Sequence, residues 1–469
     1  MMPVHCLNRA RTSAGALLLV GVLGACGDFD APNQNAGTLD ELTKGSPTRV
    51  AVATAAQGLL AGLRGAYFFN AQTLGILGRE GYNLDVSNPQ VVPAFYTLPA
   101  GAAFQNLSYW TGAYTSNKQA DVVIKALDNV VGMTNADKEA VRGFAKTIKA
   151  LQLFYVIRAT DQSGAALEAL SDPTAPPPPI VTRDEVYTQI LQWLDEAAAH
   201  LRNAGTSFPF SMTAGFAPFN TPATFLQFNR AIRAKVNITR NAFAAALTDL
   251  AGSFLDPSKP MSFGAYHPFS TNSGDATNGL YDPTARQRYA HPSYSLDAQL
   301  KADGVTKDDR FTTKIKAIAP FTRYGFPVNA TFTIYNSNTT PVPVIKNEEL
   351  ILLRAEANLA LANTSAAIAD INRVRVASGG LPPISDPYVP NTALKQPPTL
   401  LDELLYEKRY SLMWENGDRW IDARRYNRLA QLPHDRPGDV VWPYLMIPVN
   451  ECVPRNPKPP GCTNVPTPF

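Results

Sequence analysis

The stretch Ser411 to Leu432, SLMWENGDRWIDARRYNRLAQL, packs Glu415, Asp418 and Asp422 among Arg419, Arg424 and Arg425, with Trp414 and Trp420 between them. Paired carboxylates can serve as general acid and base, and a glycosidase needs two of them about 5–10 Å apart across an open, sugar-sized cleft. The spacing here predicts something else. On a helix, Glu415 and Arg419 lie at i,i+4, Asp418 and Asp422 likewise, and Asp422 reaches Arg425 at i+3. Arginine neighbours lower a carboxyl pKa and make it a poor proton donor. The stretch therefore reads as ion-paired and partly buried between its tryptophans.

Other catalytic patterns are missing. The sequence has no G-x-S-x-G, no H-E-x-x-H and no P-loop. His200, His267, His291 and His434 are scattered without ligand spacing and read as surface or loop residues. Asp308-Asp309 and Glu348-Glu349 read as solvated charge and helix N-terminal charge. No metal site and no cofactor is expected.

Ligand-binding chemistry is better represented. A carbohydrate site needs flat aromatic faces beside planar polar groups, and aromatics on loops are the informative ones. Three windows combine the two. GREGYNLDVSNPQVVPAFYTLP carries Arg79, Tyr82, Asn83, Asp85 and Tyr96. GAYHPFSTNSGDATNGLYDPTARQRYAHPSY carries Tyr266, Tyr281, Tyr289, His291 and Tyr294. PFTRYGFPVNATFTIY carries Arg323 and Tyr324. The ligand-contact candidates are Arg79, Tyr82, Asn83, Asp85, Tyr96, Tyr281, Tyr289 and Tyr324; the alternative is that these rings pack the loops onto the helices. Trp110 reads as a core anchor.

The N-terminus bears on where this chemistry operates. Arg9 and Arg11 precede a short apolar run, and Leu23-Gly24-Ala25-Cys26 follows it. This resembles a bacterial lipoprotein signal, which implies removal of residues 1–25 and acylation of Cys26. Each buried methylene contributes about 0.8 kcal/mol to membrane attachment, and more than one chain makes anchoring stable. Residues 26–48 read as a polar tether. Without Arg9 and Arg11 the formal charge falls from +3 to about +1, which gives a polyanion such as nucleic acid no basic surface to bind. In an oxidising exported compartment, Cys452 and Cys462, ten residues apart in the Pro-rich tail, are expected to form a disulfide.

The elements that must position these residues are mostly helical. Periodicity predicts helices near 50–70, 117–131, 136–160, 182–201, 223–247, 347–362, 365–377 and 400–429. Thr182-Arg183-Asp184-Glu185 is a capping box. In 347–377, Leu350, Leu353, Ala357 and Leu361 form one stripe and Ile368, Ile371 and Val374 the facing one, with Thr364 as N-cap and Gly379 as the stop. Stacked helix pairs make a tetratricopeptide-like solenoid. Residues 251–346 show no helical period for most of their length and read as an irregular, ligand-binding insert.

Two motifs add a resemblance. Glu349, Leu350, Leu352, Arg354, Ala355, Glu356 and Ala357, then Asp370, Ile371, Asn372 and Arg375, are similar to the late helical hairpin of the SusD/RagB family. Glu407, Arg409, Glu415, Gly417, Arg419, Trp420, Asp422 and Arg425 resemble its next signature, with Asn416 one residue extra and Ala423 in place of leucine. The resemblance implies a mainly α SusD-like fold over residues 49–469: helix pairs at 50–250 and 347–429, the insert at 251–346 and the tail at 433–469. It also implies a structural role for Glu407, Glu415, Arg419, Trp420, Asp422 and Arg425. Functionally it implies a non-catalytic, surface-exposed outer-membrane lipoprotein. Such a protein captures an oligomeric nutrient, by default a glycan, and delivers it to a SusC-like TonB-dependent transporter. Peptide is the alternative ligand, and a helical scaffold without a nutrient site the alternative class.

Overall fold

The computed structural model describes residues 39–43, 45–89, 96–97, 103–170, 174–283 and 287–469. The signal segment and Cys26 lie outside the described residues, as does most of the tether. No described helix is long and apolar enough to cross a membrane.

Helix α1 (Arg49–Arg64) starts at Thr48, whose hydroxyl accepts from the Ala51 amide. Helices α2 (Ala103–Ala126), α3 (Asn135–Thr160) and α4 (Arg183–Asn203) follow. Thr134/Asp137 and the expected Thr182/Glu185 pair form reciprocal capping boxes at α3 and α4. The single helix expected over 223–247 is two, α5 (Pro222–Thr239) and α6 (Phe243–Ala251), because Asn241 takes a left-handed φ of 61° between them. The late hairpin is α7 (Asn347–Ala360) and α8 (Thr364–Gly379), and Gly380 ends α8 in the left-handed conformation. Its facing stripes are buried except at Leu361, which sits past the end of α7.

Helices adjacent in sequence pack together: α2 on α3, α3 on α4, α5 on α6, α7 on α8. Small residues set the approach. A Cβ at Gly143 on α3 would come within 2.7 Å of the Leu201 side chain on α4. The main core fills these contacts, with Phe144, Phe208, Phe210 and Phe225 clustered at ring distances of 4.9–5.9 Å.

The insert is more ordered than its composition suggests. Strand β1 (Gly81–Asn83) pairs antiparallel with β3 (Arg288–Ala290), and β2 (Gly264–His267) with β6 (Val342–Lys346). Strands β4 (Ile315–Arg323) and β5 (Phe326–Phe332) form a hairpin. Tyr324 and Gly325 join them with φ of 52° and 83°, the two positive values that a right-twisted two-residue hairpin loop requires. Phe326, Val328 and Ala330 turn inward while Pro327 and Asn329 face solvent. A second core, of Tyr82, Tyr96, Tyr289, Tyr294, Phe326, Tyr410 and Trp414, binds this sheet region to the late helices.

Candidate functional site

The charged stretch at 411–432 is internal. It is not one helix: α9 (Leu400–Ser411) and α10 (Asp418–Arg425) are separated by a turn in which Trp414 (φ 57°) and Gly417 (φ 65°) are left-handed. Any side chain at Gly417 would collide with Leu74, whose Cβ lies 2.2 Å from the position of an added Cβ. The break cancels the expected Glu415–Arg419 contact. Glu415 instead meets Lys346 at 2.6 Å, and Arg419 Nη1 donates to the Arg79 carbonyl at 2.6 Å. Asp422 does meet Arg425, at 3.1 Å, and also Lys408, at 2.7 Å. Glu356 binds the same two cations at 2.7 Å each. Asp418 meets Arg158 at 2.6 Å and Lys235 at 3.2 Å. Glu407 bonds Arg310 and Arg375 with no exposed surface, and the Trp420 indole donates to the Trp442 carbonyl at 2.8 Å.

These carboxylates are counterions in a closed network. Lys346 and Lys314 facing Glu348, and Arg425 and Lys408 facing Glu356, hold both carboxyls at about 2 despite burial. Burial instead drives Glu403 to about 8, with its neighbour Glu407 adding to the rise. Glu348 and Glu349 do lie in the first turn of α7, as expected of helix N-terminal charge, though both are buried, while Asp308, expected to be solvated, is buried against Arg310 at 2.6 Å. His267 and His291 are also internal. Burial lowers His267 to about 3, and His291 sits 3.1 Å from Asp435. Among the described residues, no group of three or more His, Cys, Asp or Glu side chains could hold a metal ion.

The three loop windows do converge. Register pairs Tyr82 with Tyr289 and Asn83 with Arg288, and Arg323 on the hairpin donates to the Leu84 carbonyl at 3.3 Å and the Tyr289 hydroxyl at 3.0 Å. Their aromatic faces mostly point inward, which corrects part of the expected contact set. Tyr82 and Tyr96 have no exposed surface; both rings pack on Phe326, at 4.9 and 4.6 Å. Tyr289 is buried against Phe321. Rings enclosed this way present no face to a ligand. Arg79 is also fully buried: Nε donates to the Pro433 carbonyl at 3.0 Å, Nη2 to that of Val440 at 2.7 Å, and the guanidinium lies 4.7 Å from the Tyr96 ring centre. It fastens the 433–440 segment to the first window. Asn83 is buried, and its Oδ1 accepts from the Asp85 amide at 3.3 Å.

The remaining candidates reach the surface. Tyr324, at the hairpin tip, is 39% exposed. Asp85 is half-buried and accepts from both the Ser87 amide (2.9 Å) and hydroxyl (2.7 Å), which fixes the 85–87 turn. Tyr281 is half-buried, next to Asp282, whose carboxylate accepts from the Gln287 and Arg288 amides. Sequence reasoning missed Arg436, which pairs with Asp439 at 2.7 Å, stacks 3.9 Å over Phe326 and donates to the Tyr324 carbonyl at 2.8 Å. The only sequence signal was the i,i+3 pair in a Pro-rich stretch. The resulting surface offers the exposed aromatic ring of Tyr324 and the half-buried carboxylate of Asp85, the kinds of group that sugar C–H faces and hydroxyls use.

Elsewhere, Trp110 is buried and packs on Tyr114 at 4.7 Å. Cys452 and Cys462 are joined by a disulfide with Cα atoms 5.7 Å apart.

No protein-family model and no curated protein matches the sequence. Solved structures match the fold. A SusD/RagB family protein from Bacteroides thetaiotaomicron superposes with a TM-score of 0.61 at 16% identity, covering 86% of this chain and 94% of its own. Surface glycan-binding protein A from the same organism, solved with laminarihexaose, gives 0.61 at 14% identity over 86% and 97%. A laminarin-binding SusD-like protein gives 0.57 at 16% over 86% and 96%. The likeness covers most of this chain and nearly all of each solved one, and on it the chain has the SusD-like fold.

Proposed function

We propose that the chain is a non-catalytic, lipid-anchored outer-membrane surface protein. It binds an oligosaccharide at the loop surface around Tyr324 and passes it to a SusC-like TonB-dependent transporter. The observation that carries this reading is the convergence of three sequence-distant loops, where Tyr324 stays exposed at the turn of the β4–β5 hairpin. Two proteins of the same fold are described as a laminarin binder and a laminarihexaose complex, which favours a glycan. The carboxylates that could suggest hydrolysis are held in ion pairs. A tether from Cys26 makes delivery effectively intramolecular, so affinities from about micromolar to millimolar suffice.

The test is calorimetric titration of the soluble chain from Asp28 with laminarihexaose, other oligosaccharides and peptides. Saturable binding of an oligosaccharide, weakened in Tyr324→Ala, supports the proposal. Binding of peptides alone, or of nothing, overturns the glycan assignment. Capture of a TonB-dependent transporter by the lipidated protein in detergent tests the partner separately.

A further inference from the structure

A second cavity lies away from the loop surface, between α9, α10 and the turn at 428–432. It measures about 450 Å³, and Leu296, Lys395 and Gln431 are exposed residues of its lining. Cavities of this size hold small ligands of one or two sugar units.

Its charges do not balance among themselves. Three wall carboxylates are matched to wall cations: Asp297 to Arg409 at 2.7 Å, Asp402 to Arg428 at 2.8 Å and Asp422 to Lys408 at 2.7 Å. The fourth, Asp418, faces Arg158 and Lys235 behind the wall. Arg419 and Lys395 are left over. Arg419 donates only to the Arg79 carbonyl, Lys395 only to that of Leu296 at 3.1 Å, and among the described residues neither has a carboxylate at ion-pair distance. The buried Glu80 does not supply the missing charge. It lies beyond ion-pair distance of Arg419, burial raises its carboxyl to about 8 against the pull of that guanidinium, and it accepts from the Trp414 amide at 3.2 Å. Arg419 is lowered by burial to about 10 and keeps its charge. Beside it, the Nε of Arg409 is buried without a partner.

A desolvated guanidinium with one carbonyl partner is electrostatically incomplete. Its planar fork suits a carboxylate, which can take two N–H donors at once. We propose that this cavity binds the carboxylate of a small organic acid or of a uronic acid unit, with Arg419 as the anchor and Lys395 at the rim. It is a separate site from the loop surface, and none of its wall residues belongs to the three aromatic windows.

The experiment is titration of the soluble chain with sodium glucuronate, sodium acetate and glucose at constant ionic strength, followed by calorimetry. Glucuronate should bind saturably and glucose should not. Acetate binding as well as glucuronate would make the ligand a simple carboxylate; much weaker acetate binding would make it a uronic acid. Arg419→Gln should weaken glucuronate at least about tenfold, the loss expected for a charge-assisted bidentate contact. Lys395 is exposed, so Lys395→Glu leaves the packing intact and should weaken it several-fold even if Arg419→Gln does not fold. Tyr324→Ala should leave it unchanged. No saturable binding of either acid, or binding unaltered in Lys395→Glu, overturns the proposal.

Discussion

Glu356 gives the sharpest test of the buried network. It is 1% exposed and accepts from Lys408 and Arg425 at 2.7 Å each and from the Tyr426 hydroxyl at 2.9 Å. With Asp422 it forms a closed set of two carboxylates and two cations. Glu356→Gln keeps the shape and leaves two buried cations sharing one carboxylate. Breaking a buried pair from one side costs about 3–5 kcal/mol. At roughly 2.1 cal/mol/K per residue, a chain of 469 residues shifts its midpoint by about 1 °C per kcal/mol, so Tm should fall about 3–5 °C. Lys408→Met alone leaves the opposite imbalance and should cost a similar amount. The double variant restores neutrality and retains the Asp422–Arg425 contact. Its loss should therefore fall short of the sum by at least about 1 kcal/mol. The assay is thermal unfolding of all four proteins followed by circular dichroism. Singles that shift Tm by less than about 1 °C, or strict additivity, would refute the account of a coupled, charge-balanced core.

The same network sets a pH profile. Glu348, Glu356 and Asp418 have folded values of about 2, so their stabilisation is complete above their unfolded values near 4 and is lost as pH falls from there toward 2; Tm should drop steeply over that window, and a flat profile would contradict it. Glu80 and Glu403 have the opposite sign: their raised values make the fold lose stability as pH rises from about 4.5 to 8, and Glu80→Gln should lessen that decline in the same scan, leaving the part due to Glu403. Tyr82→Ala should cost about 3–5 kcal/mol of stability by opening a core cavity, whereas Tyr324→Ala should leave Tm unchanged and weaken laminarihexaose several-fold; the paired melting and titration data separate the two roles. Cys26→Ser should release the protein from the membrane fraction, as seen by fractionation and fatty-acid labelling.

Helix pairing was legible because several helices carry local evidence: a Thr cap with a carboxylate three residues on at α3, α4 and α9, facing apolar stripes on α7 and α8, and glycines at the end of α8. The break at 412–417 was not, since it depends on how closely Gly417 approaches Leu74, a residue more than three hundred positions earlier. The same distance hid the counterions. Glu415 reads locally as a partner for Arg419, yet Lys346 takes it. The windows were found by composition, and composition cannot say which way a ring points. Strand β1 is only three residues long and buried on both faces, so Tyr82 has no alternation to betray it. The hairpin at 315–332 did have a signal, Phe-Pro-Val-Asn-Ala alternation after Tyr-Gly, masked by the loop-rich character of its surroundings.

The ion pairs that close the core also order its assembly. Asp418 meets Arg158 across 260 residues and Lys235 across 183, and the Arg79 guanidinium waits for the Val440 carbonyl across 361. A chain synthesised from its N-terminus acquires these cations long before their partners exist. Its first helices can pair locally, and Lys235 on α5 can meet Glu349 once α7 is made, but Arg158 on α3 has no carboxylate partner until Asp418 on α10 arrives. A truncation shortly after residue 400 therefore removes about a seventh of the length together with Asp418, the partner of Arg158. The last seventh of the sequence thus supplies the counterion that lets the Arg158 guanidinium enter the interior, so the fold closes from its C-terminal end.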